Sequence, residues 1–128
     1  QNGVVYVDYS GELDLGNGPP TEYVKKYDDF EITAYTYVEE GGQVTYTGDL
    51  TRVGYVAVDR KVIPMYSKLY IIIPTPYGDF HYGYCYAMDT GGAIKNHDVD
   101  IFLPSLFDTN RFGRNKGCTL YVIREGKG

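Results

Sequence analysis

The sequence predicts an all-β domain, a small closed barrel of about six strands accompanied by one short helix. Short runs rich in Val, Ile, Tyr and Thr recur along the chain, each ended by Gly, Pro, Asp or Asn, the punctuation of a sandwich or barrel. One run, "KLYIIIP", is apolar almost throughout, as a strand buried on both faces should be. Tyrosine occurs 15 times and tryptophan not at all, which suits strands with half-polar faces.

Taken in order, residues 1–28 are rich in Gly, Pro and Asp and read as an N-terminal arm with at most one short strand at "VVYVDY", ahead of a barrel domain over 29–128. "FEITAYTYV" (Phe30 to Val38) is the first body strand and "EEGGQ" its turn. "VTYTG" reads as a second short piece, and "VGYVAVD" (Val53 to Asp59) alternates before the chain bends at Pro64. "KLYIIIP" (Lys68 to Pro74) is followed by a hairpin tip at "TPYGD" and a return strand, "FHYGYCYAMD". "HDVDIFL" and "CTLYVIRE" complete the set. Between them "PSLFDTNRFGR" carries the helix signals: Pro104 at a first-turn position, apolar Leu106 and Phe107, and Gly113 as a stop.

At 128 residues the chain can bury a core without disulfides or metals to staple it. Net charge is −5 and no Lys/Arg cluster stands out, which argues against nucleic acid, whose phosphates demand concentrated positive charge. No apolar run reaches the roughly 18 residues of a membrane helix. The first twenty residues lack the basic start and apolar centre of a signal peptide, so an exported protein would already have lost one. Cys85 and Cys118 sit in apolar segments as small hydrophobes, and a disulfide between them is left open. His81 and His97 are isolated and no CxxC or HxxxH spacing exists, so zinc is not expected.

The chemistry concentrates in "YAMDTGGAIKNHDVDIF", residues 86–102. Asp59 ends "VAVD", Asp89 ends "YAMD" and Asp100 sits in "DVDIF", each beside an apolar strand where a barrel delivers side chains to its rim. Any one of these acids could simply cap a loop by accepting its N–H groups. Three together favour a site. Asp98 shares strand parity with Asp100, so periodicity does not choose between them.

"AVDRKVIP", "AMDTGGAIK" and "VDIF", with "TAYT" and "TYTG" upstream, resemble the motifs of the 3D domain, the family named for its three aspartates. The resemblance covers roughly residues 30–125 and includes the eleven-position interval between Asp89 and Asp100. It implies a six-stranded double-psi β-barrel and peptidoglycan glycan strands as substrate. The implied activity is that of a lytic transglycosylase, which cleaves the β-1,4 bond between N-acetylmuramic acid and N-acetylglucosamine without adding water and leaves a 1,6-anhydro product.

In that reaction the nucleophile is the sugar's own 6-hydroxyl, so one side chain can first donate a proton and later accept one. The resemblance assigns this role to Asp100. Asp89 and Asp59 are its catalytic supports, expected to keep it partly protonated by like-charge proximity. Asp98 is then a solvated rim acid. Thr33 and Tyr35 form a T-x-Y pattern similar to one that faces the sugar in barrel-fold endoglucanases and expansins. Thr90, Gly91 and Gly92 are expected in a tight loop beside the cleft, glycine permitting positive φ and close approach. Lys95 is a candidate for a substrate carbonyl or carboxylate.

No metal or cofactor is called for. A monomer, secreted or attached to the cell envelope, is expected. Two departures from the family pattern stand out. Tyr66-Ser67 replace Gly-Thr, so that turn should differ; Asn96 replaces Gly, and Asn tolerates the left-handed conformation. Three other readings remain: a non-catalytic, expansin-like glycan-binding module, a structural domain whose acids cap loops, and Ca²⁺ held by Asp89, Asp98 and Asp100.

Overall fold

The computed structural model describes residues 5–6, 19–35, 44–76, 78–103 and 112–127. Seven strands are present: β1 (Val5–Tyr6), β2 (Lys25–Tyr35), β3 (Tyr55–Val58), β4 (Lys68–Thr75), β5 (Gly78–Asp89), β6 (Asp98–Phe102) and β7 (Asn115–Arg124). Six of them close a ring in the order β5-β3-β6-β2-β7-β4, with β4 pairing back onto β5. The contacts β3–β5 and β2–β6 are parallel and the others antiparallel, so the barrel is mixed. The two-residue β1 adds in parallel along β5, Val5 opposite Phe80. The expected closed six-stranded barrel is the observed fold. The helix expected over 104–114 falls mostly outside the described residues, and among those described there is no helical element.

Alternation builds the interior. Phe30 and Ile32 of β2, Val56 and Val58 of β3, and Val99 and Ile101 of β6 are fully buried in one cluster. Each such side chain contributes about 1.5–3 kcal/mol through burial. Within "KLYIIIP" both faces are buried over Leu69 to Ile71, while Ile72 is half-buried and Pro74 exposed: Leu69 and Ile71 point inward, and Tyr70 is covered outside by Tyr84 and Tyr121, with ring centroids 4.8 and 6.1 Å away. Part of the tyrosine excess therefore forms a second, outer aromatic layer, in which Tyr70 and His81 also share a 2.9 Å hydrogen bond. Cys85 and Cys118 are both buried and unbridged, on strands separated by β4. Burial pushes the Cys118 thiol up to about 12, which leaves it unreactive near neutral pH.

Two local expectations change. β2 begins at Lys25, before the apolar run starts, because Lys25, Lys26 and Tyr27 pair with Val122, Tyr121 and Leu120 of β7, and of its first five residues only Tyr27 packs against the core. "VTYTG" is not a barrel strand but part of a hairpin turn, closed by the Val44–Leu50 bridge with Gly48 at φ +91. At the turn where the family pattern has Gly-Thr, Tyr66 adopts φ +72, the conformation glycine takes without strain. It is held there by hydrogen bonds from its own N–H to the Ala87 carbonyl and from the Ala87 N–H to the Ser67 carbonyl. A tyrosine in this region costs on the order of 1–2 kcal/mol. Tyr66→Gly should therefore raise stability by up to about 1 kcal/mol after glycine's own entropy loss, seen as a melting midpoint higher by a few degrees. A lower midpoint would show that the exposed ring makes compensating contacts.

Candidate active site

Register assembles the site. Ala57 of β3 lies opposite Asp100 on β6 and opposite Asp89 on β5, while Asp100 lies opposite Thr33 on β2. Asp89, Ala57, Asp100 and Thr33 thus form one row across four adjacent strands. Residues paired across strands share a face, and the neighbours Val56, Val58, Val99 and Ile101 all point into the core. The row therefore lies on the outward face of the wall, with Asp89 at the last position of β5.

Asp89 reaches this face through a β-bulge. Val56 pairs with Ala87, yet the next residue, Ala57, pairs with Asp89, so Met88 is an extra residue on β5. Without that offset Asp89 would share the inward parity of Ala87. Bulges re-aim side chains in this way.

Loops roof the row. Tyr35, Val44, Thr51, Ala57, Thr90, Gly91 and Ile94 join both acids in lining a hollow of about 150 Å³. A second hollow of about 230 Å³ adjoins it and is lined by Glu31, Thr33, Asp98 and Arg114. Tyr35, Ile94 and Asp100 border both. Asp100 consequently stands between these two adjoining hollows, together the groove over the row.

The three acids are held differently. Asp59 spans two loops, accepting the Asn96 N–H at 2.8 Å and the Lys61 N–H at 3.0 Å. Asp89 Oδ1 accepts the N–H groups of Tyr46 and Thr90, both at 2.9 Å, so it ties the 44–50 hairpin to the end of β5. Asp100 Oδ1 accepts the Thr33 hydroxyl at 3.0 Å. Loop capping therefore describes Asp59 and Asp89, and a side-chain hydroxyl orients Asp100.

Asp59 is also displaced from the other two. It borders a third hollow with Lys61, Gly92 and Lys95, which shares Thr90, Gly91 and Ile94 with the first. The Asn96 N–H, then the Lys61 N–H, hold its carboxyl below its ordinary value of 3.8, with Lys95 and Lys61 adding positive charge. A group lowered on folding stabilises above its unfolded pKa and loses that contribution as pH falls through its folded value. Asp59→Asn should accordingly lower the melting midpoint near pH 7, with the gap to the parent narrowing below pH 4. A gap constant from pH 7 to 3 would remove the clamp from the account.

The remaining candidates divide the same way. Thr33, Tyr35, Thr90 and Gly91 line the groove with Asp100. Gly92 and exposed Lys95 face Asp59 instead. Neither Gly91 nor Gly92 has positive φ, contrary to expectation; a Cβ on Gly91 would come within 3.0 Å of the Ile94 side chain, so close approach is what that position needs. Asn96 does take the left-handed conformation, at φ +56, and its N–H meets Asp59. Asp98 accepts the Lys95 N–H at 3.3 Å and borders the second hollow. Sequence reasoning missed Ala57, whose small side chain leaves room between the acids, and Arg114, which pairs with Glu31 beside the groove. Ala57 opens the "AVDRKVIP" motif, but only the ladder register sets it between the acids, and no motif marks Arg114.

A closed mixed barrel with two acids and a threonine on one outward row defines the class. The chain belongs to the 3D domain family, which its residues 54–124 match. It is 42% identical over 87 residues to the cell wall-binding protein YocH of Bacillus subtilis (strain 168), an alignment covering 63% of this chain and 27% of YocH. The chain thus spans about a quarter of that relative's length. Among solved structures it is similar to Escherichia coli MltA with bound chitohexaose, at TM-score 0.56 and 22% identity over 65% of this chain and 28% of MltA. It is also similar to the lytic transglycosylase LtgG of Burkholderia pseudomallei, at TM-score 0.50 and 21% identity over 66% of this chain and 28% of LtgG. Both likenesses are of fold. No helix among the described residues is long and apolar enough to cross a membrane.

Proposed function

We propose that this domain is a murein lytic transglycosylase acting at the cell envelope, with Asp100 as its single acid and base. The observation that carries the proposal is that Asp100 borders both of two adjoining hollows, a position from which a carboxyl would meet the bond between sugars seated one in each. Donation from Asp100 to the glycosidic oxygen breaks the bond to C1 of the muramoyl residue. The muramoyl 6-hydroxyl then closes on C1 and returns its proton to Asp100, so no water enters the product. Asp89, across Ala57 in the same cleft, supplies negative charge toward the oxocarbenium-like centre. Thr33 orients the Asp100 carboxyl, and Tyr35 and the 90–91 loop wall the sugar. Asp59 serves at one remove, by holding the loop. Incubation with purified murein, followed by mass analysis of the soluble products, tests this. Muropeptides lighter by one water than the hydrolysed form support it, and hydrated ends overturn it in favour of hydrolysis.

A second reading, glycan binding without cleavage, is favoured by the resemblance to YocH, named as a cell wall-binding protein. Cosedimentation with murein and no soluble product would establish that reading.

A further inference from the structure

The 44–50 hairpin is built inside out. Thr45 and, just after it, Thr51 are buried at 5% and 6% exposure, whereas Val44, Tyr46 and Leu50 are 61%, 53% and 72% exposed. Folding ordinarily sorts such residues the other way, and a contiguous apolar surface rimmed by polar groups marks a place of contact. The arrangement is not slack. The Thr45 N–H meets the Asp49 carbonyl at 2.8 Å, the Gly48 N–H meets the Thr45 carbonyl at 2.9 Å, and the Thr47 hydroxyl donates to Asp49 at 2.7 Å. The Tyr46 N–H is tied to Asp89, the Thr47 N–H to the Met88 carbonyl, and the Arg60 guanidinium lies 5.3 Å from the centre of the Tyr46 ring. Val44 lines the hollow that holds Asp89 and Asp100.

We infer that this hairpin is a glycan platform, on which the Tyr46 ring stacks against a sugar of the strand lying in the groove. The inference rests on the reading of that groove as a glycan site and extends it to a named docking residue. Continuity identifies the occupant: Val44 belongs to the cleft and Tyr46 stands two residues away, so a strand straddling Asp100 passes over the ring. A pyranose offers a flat C–H face to the side of the ring that Arg60 leaves open, and hydroxyls at its edge that suit the Arg60 guanidinium. Held in place before binding, the ring loses little freedom on contact.

The test is titration of chitohexaose into the protein carrying Asp100→Asn, so that nothing is turned over, followed by calorimetry. Tyr46→Ala should weaken binding about tenfold, Tyr46→Phe should stay within about twofold of the parent, and Leu50→Ser should weaken it severalfold. Tyr23→Ala, an equally exposed ring packed on Tyr121 of β7, should leave binding unchanged. Since Asp89 is held by a backbone N–H, Tyr46→Ala should melt within a few degrees of the parent. Parental affinity in Tyr46→Ala overturns the platform and leaves the groove intact. Self-association of the parent that Tyr46→Ala abolishes without weakening glycan binding overturns it in favour of a second copy as occupant. Absence of binding in the parent overturns both the platform and the reading beneath it.

Discussion

Asp100→Asn should reduce release of anhydro-muropeptides by two to four orders of magnitude, the range that a positioned acid and base contributes. Binding to murein should survive, because the amide keeps the shape of the carboxyl and its oxygen can still accept the Thr33 hydroxyl. Asp100 is half-buried and does not pack in the central cluster, so the melting midpoint should move by no more than about 2 °C. The contrast with Asp89→Asn is informative. That amide keeps an acceptor for the Tyr46 and Thr90 N–H groups but removes the charge, so release should fall by a smaller factor, about tenfold. Release undiminished in Asp100→Asn would mean that the acid lies elsewhere.

Tyr82→Phe is expected to have the largest effect on stability. The Tyr82 ring is fully buried in the core, and its hydroxyl accepts the Gly54 N–H at 2.9 Å and donates to the Phe102 carbonyl at 2.9 Å. One oxygen thus joins the turn before β3 to the end of β6, the two strands that carry Ala57 and Asp100. Phenylalanine fills the same space yet leaves a buried donor and a buried acceptor without it. Each such group costs about 1–3 kcal/mol, so a total near 3 kcal/mol is expected. For a domain of this size that corresponds to a fall of roughly 10 °C in melting midpoint. Below the new midpoint the row should still form, and release should stay within severalfold of the parent. An unchanged midpoint would show that water replaces the hydroxyl at both partners.

Much of this molecule is legible along the chain because its signals are local. The alternation around Phe30, Val56 and Val99 and the largely buried "YIII" run announce strands before any pairing is known. The motifs around Asp59, Asp89 and Asp100 likewise announce the family. They do not announce the division of labour among those acids, since whether a carboxylate meets loop N–H groups or a groove is decided by partners far away in sequence, such as Asn96, Tyr46 and Thr33. The outward placement of the row was hidden for the same reason. Parity follows from the core cluster, but Asp89 obeys it only after an extra residue. The start of β2 escaped because, of Lys25 to Asp29, only Tyr27 packs against the core, while the ladder to β7 holds Lys25 and Lys26 by backbone bonds that leave no hydrophobic trace.

That extra residue makes the position of Asp89 a matter of counting. Exchanging Met88 for another side chain leaves the ladder's spacing alone, whereas removing it would swing the acid toward the oily interior beside Ala87. What the groove demands of this stretch is its length more than its spelling, so a gap of a single letter there would do more harm than most substitutions.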